Sequence, residues 1–283
     1  MAVVNKKPGS YAFKLTAYAV CILLTLLSIF PFVIMLINAT RSSAEIQQHA
    51  LSLIPGKNLK LNWSYLTSQP FSAFTGFKNS LIIAVSTTVC TIYFSTMTAF
   101  ALVAYDWKLR KPFFTFIMAV LMIPAQVSSI GFYQFMYKIH WVNTYFPLIL
   151  PAIAAPTVVF FMRQYMIPSL PMEILQSARI DGAGEFRIFN QIVIPMMKPA
   201  MATQAIFAFV TSWNSLFMPS ILITKMPKYT MPQMVSLLNG DSYKTEYGTV
   251  YLGLFLTVLP ILIAYFLLSK YIIEGVALGG VKG

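Results

Sequence analysis

The sequence predicts an all-α integral membrane protein with six transmembrane helices and a cytoplasmic helix-turn-helix loop between the fourth and the fifth. Hydrophobic residues make up 58% of the 283-residue chain and charged residues only 10%, too few to cover a soluble domain of this length. Six apolar runs are long enough to cross about 30 Å of hydrocarbon as helices. The remaining observation is a long amphipathic loop that separates two of these runs.

Each apolar run has a core without Asp, Glu, Lys or Arg, as expected of a helix in contact with lipid. The first run exceeds the apolar length of a cleaved signal peptide, so we expect it to be retained as a span. The predicted parts are a cytoplasmic N-terminus 1–12, a transmembrane domain 13–272 with spans 13–37, 79–104, 112–137, 144–165, 199–224 and 247–270, an outside loop 38–77, a cytoplasmic loop 167–198 and a cytoplasmic tail 273–283.

The distribution of basic residues predicts the orientation of the chain. With the N-terminus in the cytoplasm, 12 of the 20 Lys and Arg residues flank the spans on the inside and 8 on the outside. The short loop 106–111 alone carries three of the inside bases. We therefore predict that both termini are cytoplasmic. The net charge of +12 is spread over these flanks, which indicates contact with the lipid bilayer and no nucleic-acid binding.

Cysteine and histidine, the residue types most often used in metal sites and in nucleophilic catalysis, are few in this sequence and lie far from one another. Cys21 and Cys90 lie within apolar spans, and His49 and His140 have no partners at metal-ligand spacing. The sequence also lacks the Gly-rich, Lys-containing loop that cradles nucleotide phosphates. We predict no catalytic, cofactor-binding or metal-binding residue in this chain, so any ATP that drives its function binds to another subunit.

The loop 167–198 has the pattern of a helical hairpin. Pro171 favours a helix start, and Glu173 places a carboxylate in the first turn, where the helix dipole stabilises it. Leu175 and Ala178 then fall on one face, and Gly182 provides the freedom needed for a tight reversal.

A second helix is predicted from 184 to 192, with Phe186, Phe189 and Ile192 along one stripe. Pro195 is expected to end this helix, and the fifth span begins after it. The resulting apolar ridge requires a surface to cover it. It either docks on a partner, lies among the lipid headgroups or packs on the protein's own spans.

Spaced residues in this loop carry a family resemblance. Gln176-Ser177-Ala178 is followed after three residues by Gly182, after nine more by Ile192, and then by Ile194-Pro195. This spacing resembles the cytoplasmic Glu-Ala-Ala signature of the permease subunits of binding-protein-dependent ABC importers. Gln, Ser and Ile stand here where the signature has Glu, Ala and Leu.

Other segments narrow the resemblance to the carbohydrate branch of that family. They are Ala-Arg-Ile-Asp-Gly-Ala at 178–183, Lys-Pro-Ala at 198–200 and Gly-Val-Ala-Leu-Gly-Gly-Val-Lys-Gly at 275–283. The last is similar to the tail of the maltose-type second permease subunit. The resemblance covers nearly the whole chain and is weakest in the loop 38–77.

The resemblance implies that this chain is a permease subunit of an importer in the bacterial inner membrane. The subunit would form half of the translocation path for a sugar, in particular an oligosaccharide. The implied partners are a sister permease, two ATPase subunits that bind ATP and Mg, and an extracytoplasmic solute-binding protein. The implied ATPase-coupling residues are Glu173, Gln176, Ser177, Ala178, Arg179, Asp181, Gly182, Ala183, Ile192 and Pro195. Gly279, Gly280 and Lys282 are implied to reach between the ATPase subunits, although their glycines are equally typical of a frayed terminus.

Polar and aromatic residues within the spans are candidates for the solute path, because sugars are bound by amides and aromatic faces. They are Gln126, Tyr133, Gln134, Trp213 and Asn214. The alternatives are that these side chains only bond neighbouring helices, or that the sister permease makes most of the contacts.

Three other functions can be compared with the sequence: a secondary transporter or channel, an intramembrane enzyme, and an ABC permease for another solute. A secondary transporter or channel usually keeps ionisable groups at membrane depth, and these span cores contain none. An intramembrane enzyme requires a catalytic constellation that is not found here. An ABC permease for a polyamine or a phosphate compound is the nearest alternative. The outside loop 38–77 is long and contains aromatic residues, so we expect it to dock the binding protein.

Overall fold

The computed structural model describes residues 9–68, 71–238 and 246–280, and the regular structure in these ranges is helical, without a strand. The chain divides into two compact units. The first unit comprises Met1–Phe71 and Leu237–Leu256, and the second comprises Ser72–Ser236 and Thr257–Gly283.

The helices of the described residues are numbered in chain order. They are α1 (Gly9–Asn38), α2 (Ser43–Gln48), α3 (Leu59–Ser68), α4 (Ala73–Ala104), α5 (Arg110–Val120), α6 (Ala125–Lys138), α7 (Phe146–Ile149), α8 (Pro156–Ser169), α9 (Met172–Ile180), α10 (Glu185–Ile188), α11 (Ile194–Trp213), α12 (Phe217–Leu222), α13 (Met231–Leu237) and α14 (Tyr247–Gly280). Single turns of 3₁₀-helix cover Leu150–Ile153 and Met226–Lys228, and a π-helical turn covers Phe189–Val193.

Four helical segments in the described chain are long and apolar enough to cross a membrane. They are Phe13–Asn38, Ala73–Ala104, Phe146–Ser169 and Glu185–Trp213. These segments correspond to the first, second, fourth and fifth predicted spans. The full count of six spans stays a prediction.

The third predicted span, 112–137, is not one continuous helix. The chain ends α5 at Val120, turns, and starts α6 at Ala125, directly after Pro124. Proline restrains its own φ and disfavours helical geometry in the residue before it, which explains the interruption.

The sixth predicted span continues further than expected. The backbone of α14 is helical from Tyr247 to Gly280, and its described apolar part covers Tyr247–Ile263. The glycines of the tail predicted a flexible end after 272. Extending an existing helix requires far less free energy than nucleating one, so the helix can include Gly279 and Gly280. Lys282 lies outside the described residues.

The fifth predicted span also departs from expectation, because Pro195 does not end the second helix of the loop. The chain passes from α10 through the π-helical turn Phe189–Val193 directly into α11. Pro195 lies in the first turn of α11, next to this wider turn. A π-helical turn relieves the crowding that proline imposes on a regular helix. The second hairpin helix and the fifth span are therefore one continuous segment.

In the first unit, polar side chains fix the segment that follows α1. The buried Arg41 guanidinium donates to Asn38 Oδ1 at 3.1 Å and to the His49 carbonyl at 2.7 Å. Asn62 Nδ2 donates to the Arg41 carbonyl at 2.9 Å. A Cβ on Gly248 would lie 2.3 Å from that same carbonyl oxygen, so only glycine fits at this point of α14. This loop therefore has a defined packed structure.

The second unit is arranged around α4, which packs on both α8 and α11. Its buried face carries the small residues Ser80, Ala84, Ser95, Thr96 and Ala99. Small side chains let helix backbones approach closely, which is the usual basis of helix association in a membrane. At the C-terminal end of α4 the core also includes residues of α9 and of the π-helical turn.

Candidate functional site

The reversal in the loop 167–198 has a specific hydrogen-bond pattern. Gly182 has a φ of 80°, and its N–H donates to the Arg179 carbonyl at 3.0 Å. The Ala183 N–H donates to the Ala178 carbonyl at 2.9 Å. These two bonds form the Schellman motif that ends a helix, with glycine in its left-handed position. The structure thus explains why the loop has glycine four residues after Ala178.

One face of the hairpin, defined as residues 172–193, is buried in the core of the second unit. Leu175, Ile188 and Phe189 have exposed fractions of 1%, 0% and 2%. They pack in one cluster with Met162 and Met166 of α8. These contacts anchor the hairpin to the rest of the second unit.

The opposite face of the hairpin carries exposed apolar side chains. Ile180 is 86% exposed, Phe186 70% and Ile174 45%. Phe186 was predicted to share a stripe with Phe189 and Ile192, but it points away from the core that contains those two. Exposed side chains of this size on a folded hairpin are typical of a surface that binds a partner.

Three side chains tie the hairpin to the C-terminal end of α4. Arg179 Nε lies 2.7 Å from Glu185 Oε1, and the Tyr105 hydroxyl donates to Glu185 Oε2. The Arg179 guanidinium also lies 5.3 Å from the centre of the Tyr105 ring. Burial, followed by the bond to Glu185, raises the pKa of Tyr105 above its usual value. We call these residues the Tyr105 cluster.

The other predicted coupling residues lie on the hairpin or at its border with α11. Ala178, Ala183 and Ile192 are half-buried and pack against the core of the second unit. The exposed ones are Glu173, Gln176, Ser177, Asp181 and Pro195. A role for these residues in contacting an ATPase stays a prediction.

A cavity of about 1160 Å³ lies within the second unit. Its walls come mainly from α4, α6, α8 and α11 and from the segment before α8. Its polar lining residues are Ser80, Thr87, Thr91, Ser128, Ser129, Thr157, Thr203, Gln204, Thr211, Ser212, Ser215 and Thr230. Its apolar lining residues are Ile83, Phe132, Pro147, Leu148, Pro151, Val158, Phe161, Phe207, Ala208, Met218 and Pro219.

The lining is uncharged and presents a mainly apolar surface, to which hydroxyl and amide side chains contribute. None of the described residues that line the cavity is Asp, Glu, Lys, Arg or His. Phe161 and Phe207 add aromatic surface that is 49% and 63% exposed. Hydroxyls and an amide can both donate and accept hydrogen bonds, and the aromatic faces can cover the C–H surface of a ring.

The five residues predicted for a solute path lie outside this lining. Trp213 is 1% exposed, its ring contacts Phe77 and Phe209, and its Nε1 donates to the Thr257 carbonyl at 2.9 Å. Tyr133 is half-buried beside Met136. The exposed ones are Gln126, Gln134 and Asn214. Their place in a path stays a prediction, and the contacts of Trp213 are those of a core residue.

Sequence reasoning missed the residues that do line the cavity, although their spacing carried a signal. In α11 and just after it, Thr203, Phe207, Thr211 and Ser215 recur every fourth residue. This period places all four on one side of a helix. The prediction considered only amides and large aromatic residues. Ser and Thr were left out because their hydroxyls within membrane helices usually bond the backbone of the same helix.

The described residues offer no group of three or more His, Cys, Asp or Glu side chains that could hold a metal ion. The candidate functional features of the second unit are the hairpin and the uncharged cavity.

A protein-family model matches residues 91–276, and its description reads "Binding-protein-dependent transport system inner membrane component". The matched region includes the hairpin, the Tyr105 cluster and most of the residues that line the cavity.

Several characterised proteins are similar to this chain over most of their length. The arabinooligosaccharides transport system permease protein AraQ of Halalkalibacterium halodurans is 35% identical over 91% of this chain and 92% of its own. The protein of the same name from Bacillus subtilis is 32% identical over 99% of this chain and 100% of its own. The lactose transport system permease protein LacG of Rhizobium radiobacter is 31% identical over 94% of this chain and 95% of its own.

A solved structure has the same fold. It is a chain of a bacterial ABC transporter involved in the import of the acidic polysaccharide alginate, with a TM-score of 0.77 and 20% sequence identity. The match covers 94% of this chain and 99% of that one. At this identity the likeness concerns the fold alone.

Proposed function

Because this chain belongs to the family of binding-protein-dependent transport system inner-membrane components, we propose that it forms half of the solute path of an ATP-driven importer for an uncharged oligosaccharide. Members of this family are transport components rather than catalysts. The observation that carries the choice of solute is the cavity of about 1160 Å³, whose uncharged lining combines a mainly apolar surface with hydroxyl and amide side chains.

The lining suits a sugar better than an ion. A sugar presents many hydroxyls around an apolar ring, and Gln204, Thr211 and Phe207 offer both kinds of contact. Relatives from Yersinia with 29% or 30% identity carry the name sn-glycerol-3-phosphate transport system permease protein UgpE. A phosphate group inside the cavity would favour basic side chains, and the described lining has none. The relatives named for arabinooligosaccharides and lactose are therefore the better guide.

The hairpin is the proposed site of energy coupling. Its buried face fixes it to the second unit, while Ile180 and Phe186 present an apolar surface to the surroundings. An ATPase subunit that covers this surface would move the hairpin, and with it α11, which continues from the hairpin without a break. ATP and Mg bind to two such ATPase subunits in this proposal, while this chain holds neither.

The remaining partners complete the transport path. A sister permease supplies the other half of the path, and an extracytoplasmic binding protein delivers the sugar. In this arrangement both termini and the hairpin face the cytoplasm of a bacterial cell, in line with the bias of basic residues. The outside loop 38–77 is then available to the binding protein.

Purification and transport assays test the proposal. The tagged chain, isolated from its native membranes in mild detergent, should retain a second permease and an ATPase. In proteoliposomes the complex should take up arabinooligosaccharides or lactose only when ATP and the binding protein are supplied. Isolation of the chain alone, with solute movement in the absence of ATP, would instead establish a secondary transporter.

A cavity substitution tests the site itself. Thr211→Val combined with Gln204→Leu removes polar groups from the lining, so the concentration of sugar needed for half-maximal uptake should rise about tenfold. Thr88→Val is the matched control, because the Thr88 hydroxyl bonds the Ala84 carbonyl of its own helix and does not line the cavity. Equal effects of the two changes would remove the cavity from the proposed path.

A further inference from the structure

A short segment, residues 223–230, adjoins the cavity through its last residue, Thr230. Helix α4 is about 48 Å long at 1.5 Å per residue, and the Tyr105 cluster adjoins its C-terminal end. Near its N-terminal end, Asn79 bonds the segment, Ser80 accepts from the Met231 N–H that follows the segment, and both Ser80 and Thr230 line the cavity. Thr230 therefore forms part of the cavity wall at the end of α4 that lies away from the Tyr105 cluster.

The side chain of Asn143 holds the first part of this segment. Asn143 Oδ1 accepts from the Thr224 N–H at 2.7 Å, the Thr224 hydroxyl at 3.1 Å and the Lys225 N–H at 3.0 Å. The Lys228 ammonium donates to the Asn143 carbonyl at 2.6 Å. Asn143 has a φ of 63°, a left-handed conformation that Asn tolerates better than most residues. It therefore combines the required backbone with the required acceptor.

The side chain of Asn79 holds the second part, with the opposite polarity. Its Nδ2 donates to the Pro227 carbonyl at 3.0 Å and to the Tyr229 carbonyl at 2.9 Å. Next to it, Ser80 Oγ accepts from the Met231 N–H at 2.8 Å. Asn79 is only 5% exposed, so its bonds are shielded from water. Asn143 thus serves as an acceptor and Asn79 as a donor for the same segment.

We propose that Asn143 and Asn79 form a latch that holds the segment 223–230 across the outer end of the cavity and that this latch opens when the cavity receives its solute. The proposal rests on the importer function proposed above, which requires the cavity to open alternately to each side. Hydrogen bonds suit this role, because each contributes little net free energy and can be exchanged for bonds to water. Both asparagines are positioning residues, since they act through the segment and line none of the cavity themselves.

The isosteric change of Asn to Asp gives opposite expectations at the two sites. Asn143→Asp keeps an acceptor oxygen for all three donors, so the latch should stay closed. Asn143→Gly keeps the freedom for a positive φ and removes the acceptor, so the latch should open. Asn79→Asp replaces a donor with a carboxylate facing two carbonyl oxygens, so the latch should also open. A role that depends only on side-chain size would leave Asn79→Asp closed, so this isosteric variant is the one that distinguishes the latch from mere packing.

The measurement is the labelling rate of a cysteine in the cavity. Cys21 and Cys90 are changed to Ala, Thr211 is changed to Cys, and the complete complex is placed in right-side-out vesicles. A membrane-impermeant thiol reagent is then added from outside without ATP. Asn143→Gly and Asn79→Asp should each raise the labelling rate about tenfold, and Asn143→Asp should leave it near that of the parent.

The result that overturns the latch is an equal labelling rate in all four proteins while the subunits still purify together. Faster labelling in Asn143→Asp than in Asn143→Gly would overturn it as well. The two sites provide independent tests should one variant fail to assemble. Sugar uptake by the parent complex is measured separately, so a failure of the importer function and a failure of the latch give different results.

Discussion

The two ends of the second unit are built from different interactions. At the hairpin end, the backbone bonds itself through the Schellman motif, and the large side chains Ile180 and Phe186 are left exposed. At the other end, the segment 223–230 is held by side-chain bonds from Asn143 and Asn79. One end thus has a fixed shape and an uncovered apolar surface, and the other has its polar groups satisfied within the chain.

This difference indicates how each end functions. Burying an apolar surface is strongly favourable and non-directional, which suits a lasting contact with another subunit. Hydrogen bonds that can be replaced by water suit a contact that is made and broken in every transport cycle. We therefore expect the hairpin to remain bound while the 223–230 segment opens and closes.

The largest expected effect comes from removing the exposed apolar surface of the hairpin. Ile180→Ser combined with Phe186→Ser should weaken ATPase binding by at least about a hundredfold, since burial of each side chain contributes about 1.5–3 kcal/mol. Thermal stability of the isolated chain should barely change, because both side chains are exposed. Titration of the ATPase onto the chain in nanodiscs measures the affinity.

Gln191→Ser is the control for this experiment. Gln191 is exposed on the same hairpin, where it accepts a bond from Arg187, and it presents no apolar surface. If the control weakens ATPase binding as much as the double variant does, the hairpin binds through polar contacts and the contrast between the two ends is lost.

A smaller effect is expected from the reversal of the hairpin. Gly182→Ala places a Cβ at a φ of 80° with no neighbouring atom within 4 Å, so its effect isolates backbone strain. The strain of about 1 kcal/mol should destabilise the folded chain and lower its Tm by a few degrees, measured by thermal unfolding. Gly184→Ala is the matched control, because Gly184 has an ordinary φ of −68° and the same open surroundings. Equal losses in the two variants would mean that the left-handed turn is unimportant.

The hairpin also illustrates what the sequence was able to predict. Its first helix and its reversal at Gly182 lie where the sequence placed them, because capping and glycine preferences act over a few neighbouring residues. Pro195 was misjudged, since a proline ends a regular helix but can follow a π-helical turn. Phe189 and Val193 of that turn are buried in the core of the second unit, which no local sequence pattern indicated.

The cavity was harder to predict, for a related reason. Apolar runs indicated where the spans lie, but not which face of each helix turns towards a cavity. Trp213 was chosen for its chemistry, and the structure buries it against Phe77. The bonds of Asn143 also depend on contacts between distant parts of the chain. The composition was enough to predict a membrane protein, whereas the residues that line the cavity could be identified only from the tertiary structure.

The smallest expected effect concerns the Tyr105 cluster, which joins the hairpin to α4. Tyr105→Phe keeps the ring beside Arg179 and loses only the bond to Glu185. Because the cluster is partly exposed, the loss should be about 1 kcal/mol or less, with a decrease in Tm of a few degrees at most. Tyr137→Phe, at an exposed tyrosine of α6, is the control and should leave the Tm unchanged.

The pH dependence of this effect sharpens the test. The pKa of Tyr105 is raised by burial and by its bond to Glu185, so folding favours the protonated phenol. The stabilisation is therefore fully present below the pKa of an unfolded tyrosine, about 10, and is lost as the pH rises through the higher folded pKa. The difference in Tm between the wild type and Tyr105→Phe should stay constant from about pH 7 to 9 and shrink above about pH 10. A difference that persists at high pH would show that the hydroxyl bond does not stabilise the hairpin.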